Sequence, residues 1–303
     1  MALASDAFPS KPLRFVVPFP PGSGTDTTAR LFARKIGEIT GQGVAVENRA
    51  GGNGFIAVQS LLSAPADGHT VFIGSNSTLS TNAALFKKLP YDPLKDFAPI
   101  SLLSRGACVV IVPANSRYQT LKDLIDDAHK RPGALNYGSG SISYRLYSEW
   151  LNEMVGMKTT EIPFKGAGAA INAIVSGEVD FAVVDASGAI ELIVGGRVRG
   201  LAFTAPDRSP LIPNVPNASE AGIPNFLAYN WVAAAVSAKT PAAIVEKLIA
   251  LFQQVGAALD VREYYSRQST SLLMTPPADL TRYQKEEIDR WKRLAQTVNI
   301  EQQ

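Results

Sequence analysis

The chain has 303 residues, enough for two domains of ordinary size, and 46% hydrophobic against 18% charged residues supplies material for packed cores. Lys+Arg of 29 against Asp+Glu of 27 argues against the basic excess of a nucleic-acid surface, and no apolar run reaches the ~18–20 residues that a membrane-spanning helix needs. Cys108 is the single cysteine, so no internal disulfide forms; it sits in an apolar strand pattern and reads as a buried, inert thiol.

At the start, Ala2-Leu3-Ala4 matches the small-x-small pattern that precedes a signal-peptidase cut. It is read as the end of an export signal whose apolar part has been removed. Leu13 to Val17 is a short apolar run stopped by Pro18. Thr27 to Thr40 reads as a helix, because Ala29, Phe32, Ala33, Ile36 and Ile39 share one face and Gly41 follows as a stop. Val44 to Val46 is a strand, Phe55 to Leu62 a helix, Thr70 to Ile73 a strand and Ser77 to Phe86 a helix. This βαβαβ order predicts a mostly parallel sheet flanked by helices.

Pro90, Pro93 and Pro99 then mark an irregular connection. A second alternating run has strands at Val109 to Val112, Leu135 to Tyr137, Thr160 to Ile162, Phe181 to Val184 and Gly200 to Phe203. Its helices are Leu121 to Lys130, Ser143 to Val155, Ala167 to Ser176 and Ser187 to Val194. The five prolines from Pro206 to Pro224 make that stretch a loop. A strand from Trp231 to Val236 and helices at Pro241 to Leu259, Val261 to Arg267 and Ala278 to Val298 complete the chain. Two α/β runs with a trailing strand and helices suggest two crossings between lobes, outward near Val109 and back near Trp231. The expected domains are 1–105 with 228–303, and 106–227, with a ligand cleft between them.

Three loops carry the candidate chemistry, each between a strand and a helix. In the first, Phe19 to Asp26, Gly22 and Gly24 let the backbone turn tightly, and the helix start beyond them presents free N–H groups to an anion. Its alternative is a plain turn capped by Thr25 or Asp26. No Gly-Lys-[Ser/Thr] follows, and Thr27 stands where a dinucleotide fingerprint needs glycine. The second loop, Gly74 to Thr78, offers Ser75, Asn76, Ser77 and Thr78. The third, Tyr137 to Tyr144, offers Ser139, Gly140, Ser141, Ser143 and Tyr144. Strand C-terminal ends in open α/β sheets face one crevice, so the three loops are expected to converge. Asp185 ends an apolar strand and reads either as a ligand acceptor or as a helix cap. His69 and His129 stand in no metal or catalytic pattern, and neither cofactor nor metal is expected.

Arg14 to Gly22 with Asp26 and Ala29-Arg30, Val46 to Gly54, Tyr91 to Phe97, Pro163-Phe164-Lys165-Gly166, and Pro213 to Pro216 with Glu220-Ala221-Gly222 form a specific set. In these stretches the chain resembles the Bug receptors, the TctC-like extracytoplasmic solute-binding proteins of tripartite tricarboxylate transport systems. The resemblance implies an α/β fold of two lobes (a Venus flytrap) with two crossover strands at the hinge, and a periplasmic location. It also implies a monomeric, non-catalytic protein holding a small carboxylate, with the permease of such a transporter, or a sensor kinase, as partner. It places one ligand carboxylate on the first loop, held through backbone and two ordered waters. The Ser/Thr loops, Lys165 and Asp185 complete the site. Two departures stand out. Ser23 replaces a glycine of the first loop, and Tyr144-Arg145-Leu146 stands where the family commonly has a His before the Leu. Arg145 reads either as a surface charge or as a cation suited to a second carboxylate. The second reading favours a dicarboxylate, with terephthalate attractive if Phe19, Tyr144 and Trp231 line a flat slot. The rivals are an α/β enzyme acting on a carboxylate or phosphorylated metabolite, and the effector half of a transcription regulator.

Overall fold

In the computed structural model, which describes residues 8–297 and 302, Leu13–Val17 (β1), apolar except for Arg14, lies second from the edge of a sheet. Val44–Asn48 (β2) pairs with it in parallel on one side and Thr70–Ser75 (β3) on the other. Between β1 and β2 runs Gly24–Thr40 (α1), closed by Gly41 in the left-handed region. Phe32 of α1 stacks on Phe252, which also meets Phe15 of β1, so the helix's apolar stripe seals one face of the sheet. Phe55–Leu62 (α2) covers the other face. The helix begins three residues before Thr27 because Ser23, not Thr25 or Asp26, is its cap. The Ala2-Leu3-Ala4 and Val298 readings lie outside the described residues.

After β3 the expected single helix is a π-type turn, Ser77–Thr81, followed by Asn82–Leu85 (α3). The irregular connection is shorter than read: Phe97–Pro113 (β4) is one 17-residue strand containing Pro99. Register shifts between Pro99 and Ser101, and again between Leu102 and Ser104, accommodate a residue with no N–H to give.

β4 serves two sets of strands. Its first part pairs antiparallel with Tyr229–Ser237 (β9), which in turn pairs antiparallel with β3. Its second part pairs antiparallel with Ala182–Asp185 (β7) on one side and Val198–Phe203 (β8) on the other. Asn136–Ser139 (β5) and Thr160–Pro163 (β6) pair in parallel, and a parallel bridge from Tyr137 to Phe181 joins them to β7. Leu121–Lys130 (α4), Ile142–Val155 (α5), Ala167–Ser176 (α6) and Ala186–Val194 (α7) flank this second set. The parallel strands thus lie in two groups, linked by antiparallel crossing strands.

The chain returns along β9 into Ala242–Ala257 (α8) and Leu259–Ser266 (α9). Thr270–Leu272 (β10), not anticipated, pairs with β4 at the sheet edge, and Pro277–Thr297 (α10) follows. Two apolar clusters sandwich each strand set.

Candidate functional site

The loop leaving β1 is shaped by one carboxylate. Gly22, at φ 82°, donates its N–H to Asp26 Oδ2 at 2.9 Å, and Arg30 Nε donates to the same oxygen at 3.0 Å. Asn48 Nδ2 donates to Asp26 Oδ1 and to the Phe19 carbonyl, both at 2.9 Å, so β2 holds the loop from the side. Burial pushes the Asp26 carboxyl up, but Arg30, the Gly22 N–H and Asn48 together hold it below the usual carboxylate range. Ser23 Oγ accepts from the Asp26 N–H at 3.2 Å. Gly24 and Thr25 then present first-turn N–H groups that have no intrahelical acceptor.

These residues border a cleft of about 310 Å³. Phe19, Gly22, Ser23, Gly24 and Thr25 line it from the β1 loop, with Ser75 and Ser77 beyond β3. From the second strand set come Gly140, Ser141, Tyr144 and Asp185. Loops following β1, β3, β5 and β7 therefore meet, as crevice geometry requires. Two larger surface grooves exist, of about 750 and 840 Å³, but neither gathers more than one helix start.

Seven residues singled out in the sequence stand off this lining. Asp26 lies behind it, as described. Asn76 is fully buried and donates to Tyr147 Oη at 2.6 Å. Thr78 Oγ1 donates to the Ser75 carbonyl at 3.2 Å. Ser139 donates to Glu161 Oε1 at 2.5 Å, and Ser143 meets the hydroxyls of Ser77 and Thr81. Arg145 has its Nε 3.1 Å from Glu161 Oε2, an ion pair that leaves the nitrogen without an aligned hydrogen bond. Lys165 is exposed. Trp231 does not line the cleft either: its indole donates to buried Glu287 at 3.2 Å.

The lining contains residues the sequence reading passed over. Gly166, Ala167 and Gly168 open α6, with Ile171 and Asn172 on its next turn. Ser187, Gly188 and Leu192 come from α7, and Asn230 from β9. The run Lys165-Gly166-Ala167-Gly168 has the same strand–glycine–helix order as the three chosen loops and was the available signal. Asn230 carried none, because its place depends on the pairing of β9 with β4. With these added, the opening residues of four helices, α1, α5, α6 and α7, line one cleft. α5 and α6 start without a side-chain cap and α1 leaves Gly24 and Thr25 free, so these three bring unpaired N–H groups and the positive end of a dipole, whereas the start of α7 is already met by Asp185.

Among the described residues of the lining, Asp185 is the only charged side chain. It is both a cap and a cleft residue: Oδ1 accepts from Ser187 N at 3.0 Å and Ser187 Oγ at 2.8 Å, and Oδ2 accepts from Asn230 Nδ2 at 3.0 Å. A smaller cavity of about 210 Å³ continues past it, sharing Gly22, Gly24, Ser187 and Asn230. Burial pushes the Tyr144 hydroxyl well above its ordinary range, so it faces the cleft as a neutral group. The cleft thus offers an anion neutral donors and helix ends. Two apolar side chains, Ile171 and Leu192, stand ready for a hydrocarbon spacer.

The model of the tripartite tricarboxylate transporter family receptor, TctC, matches residues 28–300. The UPF0065 protein in the tcbD-tcbE intergenic region of Pseudomonas sp. (strain P51) is 35% identical over 292 residues, covering 95% of this chain and 87% of that protein. R. palustris Rpa4515 with adipate aligns at a TM-score of 0.91 and 29% identity, over 96% of this chain and 98% of that one. MatC from Rhodopseudomonas palustris with bound malate aligns at 0.88 and 32%, over 95% and 99%. The periplasmic binding protein BugD aligns at 0.90 and 26%, over 98% and 100%. The fold is that of the periplasmic binding proteins.

Proposed function

The chain belongs to the tripartite tricarboxylate transporter receptor family, and from that premise we propose that it captures a small aliphatic dicarboxylate in the cleft bordered by Gly22–Thr25, Ser141, Gly166–Gly168 and Asp185. The observation that carries this reading is the meeting of four helix starts on a cleft with no lysine or arginine among the described residues of its lining. Such donors are fixed by the backbone and lose little freedom on binding. One carboxylate sits on the start of α1. The other is met from the opposite side by the starts of α5 and α6. Ile171 and Leu192 contact the spacer. Asp185, with three donors already on its oxygens, remains an acceptor for a ligand hydroxyl or a bridging water.

The lobes are 1–105 with 228–303, and 106–227. The change of partners along β4 supports this division. A ligand touching only one lobe would favour neither the open nor the closed form. Contacts from both sides supply the differential affinity that closure needs. The closed, loaded receptor then works in the periplasm by delivering the solute, chemically unchanged, to the membrane subunits of a tripartite tricarboxylate transporter. Adipate and malate in the related structures support a diacid of this size. A rigid aromatic diacid is a poorer fit, since Trp231 is turned to Glu287 and leaves Phe19 and Tyr144 as the aromatic walls.

The test is a thermal-shift series of acetate, succinate, malate, glutarate, adipate, terephthalate and citrate. An aliphatic diacid at about 100 times its Kd should stabilise the protein by about 2.7 kcal/mol, a rise of several degrees in Tm. If no carboxylate in the series raises Tm, the cleft assignment fails.

A further inference from the structure

Along β4, successive side chains point to opposite faces. Ser104 and Gly106 border the cavity that continues the cleft past Asp185, while Arg105 and Ala107 border a groove of about 750 Å³ behind the crossing strands. Three guanidinium groups line that groove, Arg105, Arg208 and Arg262, and among the described residues no Asp or Glu does. Arg208 is neutralised by Glu220 at 2.7 Å. Arg105 lies over the Tyr229 ring at 4.5 Å, and Arg262 touches only the Gly256 carbonyl, at 3.4 Å. Neither has a carboxylate within ion-pairing distance among the described residues. Arg105 feels the buried Glu287 and the Tyr283 hydroxyl, but two guanidinium groups without an ion pair facing one groove, in a chain of near-neutral charge, favour an anion there.

We propose that this groove docks an extended acidic segment of a protein partner. The cations come from separate elements, β4 and α9, so they suit charges spread along a chain. β10 forms the groove's wall and is the last strand of its sheet, with one side of its main chain unpaired by any strand among the described residues. An edge strand of this kind accepts a further strand through backbone hydrogen bonds, with side-chain charge setting the choice of partner. The groove also draws on both lobes: Ser209 Oγ meets Ser269 Oγ at 2.7 Å across it. A docked segment therefore senses the spacing between the lobes from the side opposite the solute.

The experiment uses the whole protein and fluorescein-labelled hexaglutamate, followed by anisotropy. Binding is expected at low salt and should weaken in about 0.3 M NaCl, where exposed charges are screened. Arg262→Gln and Arg105→Gln should each weaken it about five- to tenfold, the loss of one guanidinium–carboxylate contact. Citrate in equimolar amount should not displace the peptide. Adipate should still raise Tm in the Arg262→Gln variant, which shows that the variant is folded and separates this groove from the cleft. No binding, binding unchanged in both variants, or equal competition by citrate would each overturn the proposal, the last in favour of a small-anion site.

Discussion

The hydroxyl of Ser77, in the turn after β3, lies 2.9 Å from that of Ser143 in the first turn of α5, and both residues are buried. Thr81 Oγ1 meets the same Ser143 oxygen at 3.0 Å. Ser143 is therefore a junction between the two strand sets rather than a lining residue of the cleft. Ser143→Ala strips two buried hydroxyls of their shared partner, at a cost of about 1–3 kcal/mol. The urea midpoint should fall with an unchanged slope, while adipate still raises Tm. An unchanged midpoint would mean that the junction does not form in solution.

Asp26 fixes the first loop from behind. Asp26→Asn replaces an acceptor of three donors by a group that must itself donate, setting it against Gly22 or Arg30. The expected loss is about 2–3 kcal/mol of stability, with a tenfold or greater loss of diacid affinity as Gly24 and Thr25 move. The folded pKa lies below the ordinary 3.8. The clamp's contribution is thus complete above that value and lost as pH falls through the folded one. Acid titration of the Asn variant should lack this component.

Glu287 behaves with the opposite sign. Burial raises its carboxyl above the ordinary range, although the indoles of Trp231 and Trp291 donate to Oε2 at 3.2 and 3.0 Å and Arg290 lies 3.3 Å from Oε1. The folded form holds its proton more tightly than the unfolded chain, so stability declines as pH rises from 4.5 through the folded value. Glu287→Gln keeps an acceptor for the indoles without the buried charge. At pH 8 it should equal the parent or exceed it by about 1 kcal/mol. A large loss in urea melts at pH 8 would show that the charge itself is needed.

Two cleft glycines should fail for different reasons. At Gly140 a Cβ would stand 2.5 Å from the Ala167 nitrogen and the Gly166 carbonyl carbon, which are backbone atoms at the start of α6. At Gly22 there is open space, but φ is 82°. Gly140→Ala must push α6 off the cleft and should abolish the Tm rise with any diacid. Gly22→Ala should cost about 1–2 kcal/mol of stability and retain binding. Equal affinities in the two variants would contradict the close approach of α6.

The periodic segments were legible in the sequence. α2, α4 and α6 begin and end where their patterns do: Gly54, Thr120 and Gly166 mark their starts, and Gly177 also marks the end of α6. Loops after strands carried the site signal, because Gly/Ser runs before helices mean free N–H groups wherever they occur. What could not be read was pairing. Pro99 looked like a strand breaker until bulges in β4 absorbed it, and β10 is too short to show alternation. Ser139, Ser143 and Asn76 have the chemistry of ligand donors, but their partners are Glu161, Ser77 and Tyr147, distant in sequence. Composition at a loop does not say which hydroxyls another segment will claim.

Arg145 poses the same question most sharply. As a free cation it would suit the second carboxylate of a diacid. Here its charge is matched by Glu161, each side chain about a quarter exposed, and Ser139 binds the other oxygen of that carboxylate. A guanidinium already paired offers little net field to a ligand, and the cleft lining does not include it. Arg145→Ala should therefore leave adipate affinity within about threefold of the parent, since one partly exposed ion pair contributes about 1 kcal/mol or less. Glu161→Gln is the sharper variant. It frees the cation and, if the guanidinium can swing inward, tightens diacids relative to acetate. Calorimetric titration of both variants with adipate and acetate decides the matter: a tenfold loss for adipate alone in Arg145→Ala would place the arginine on the ligand and shift the second carboxylate away from the helix starts.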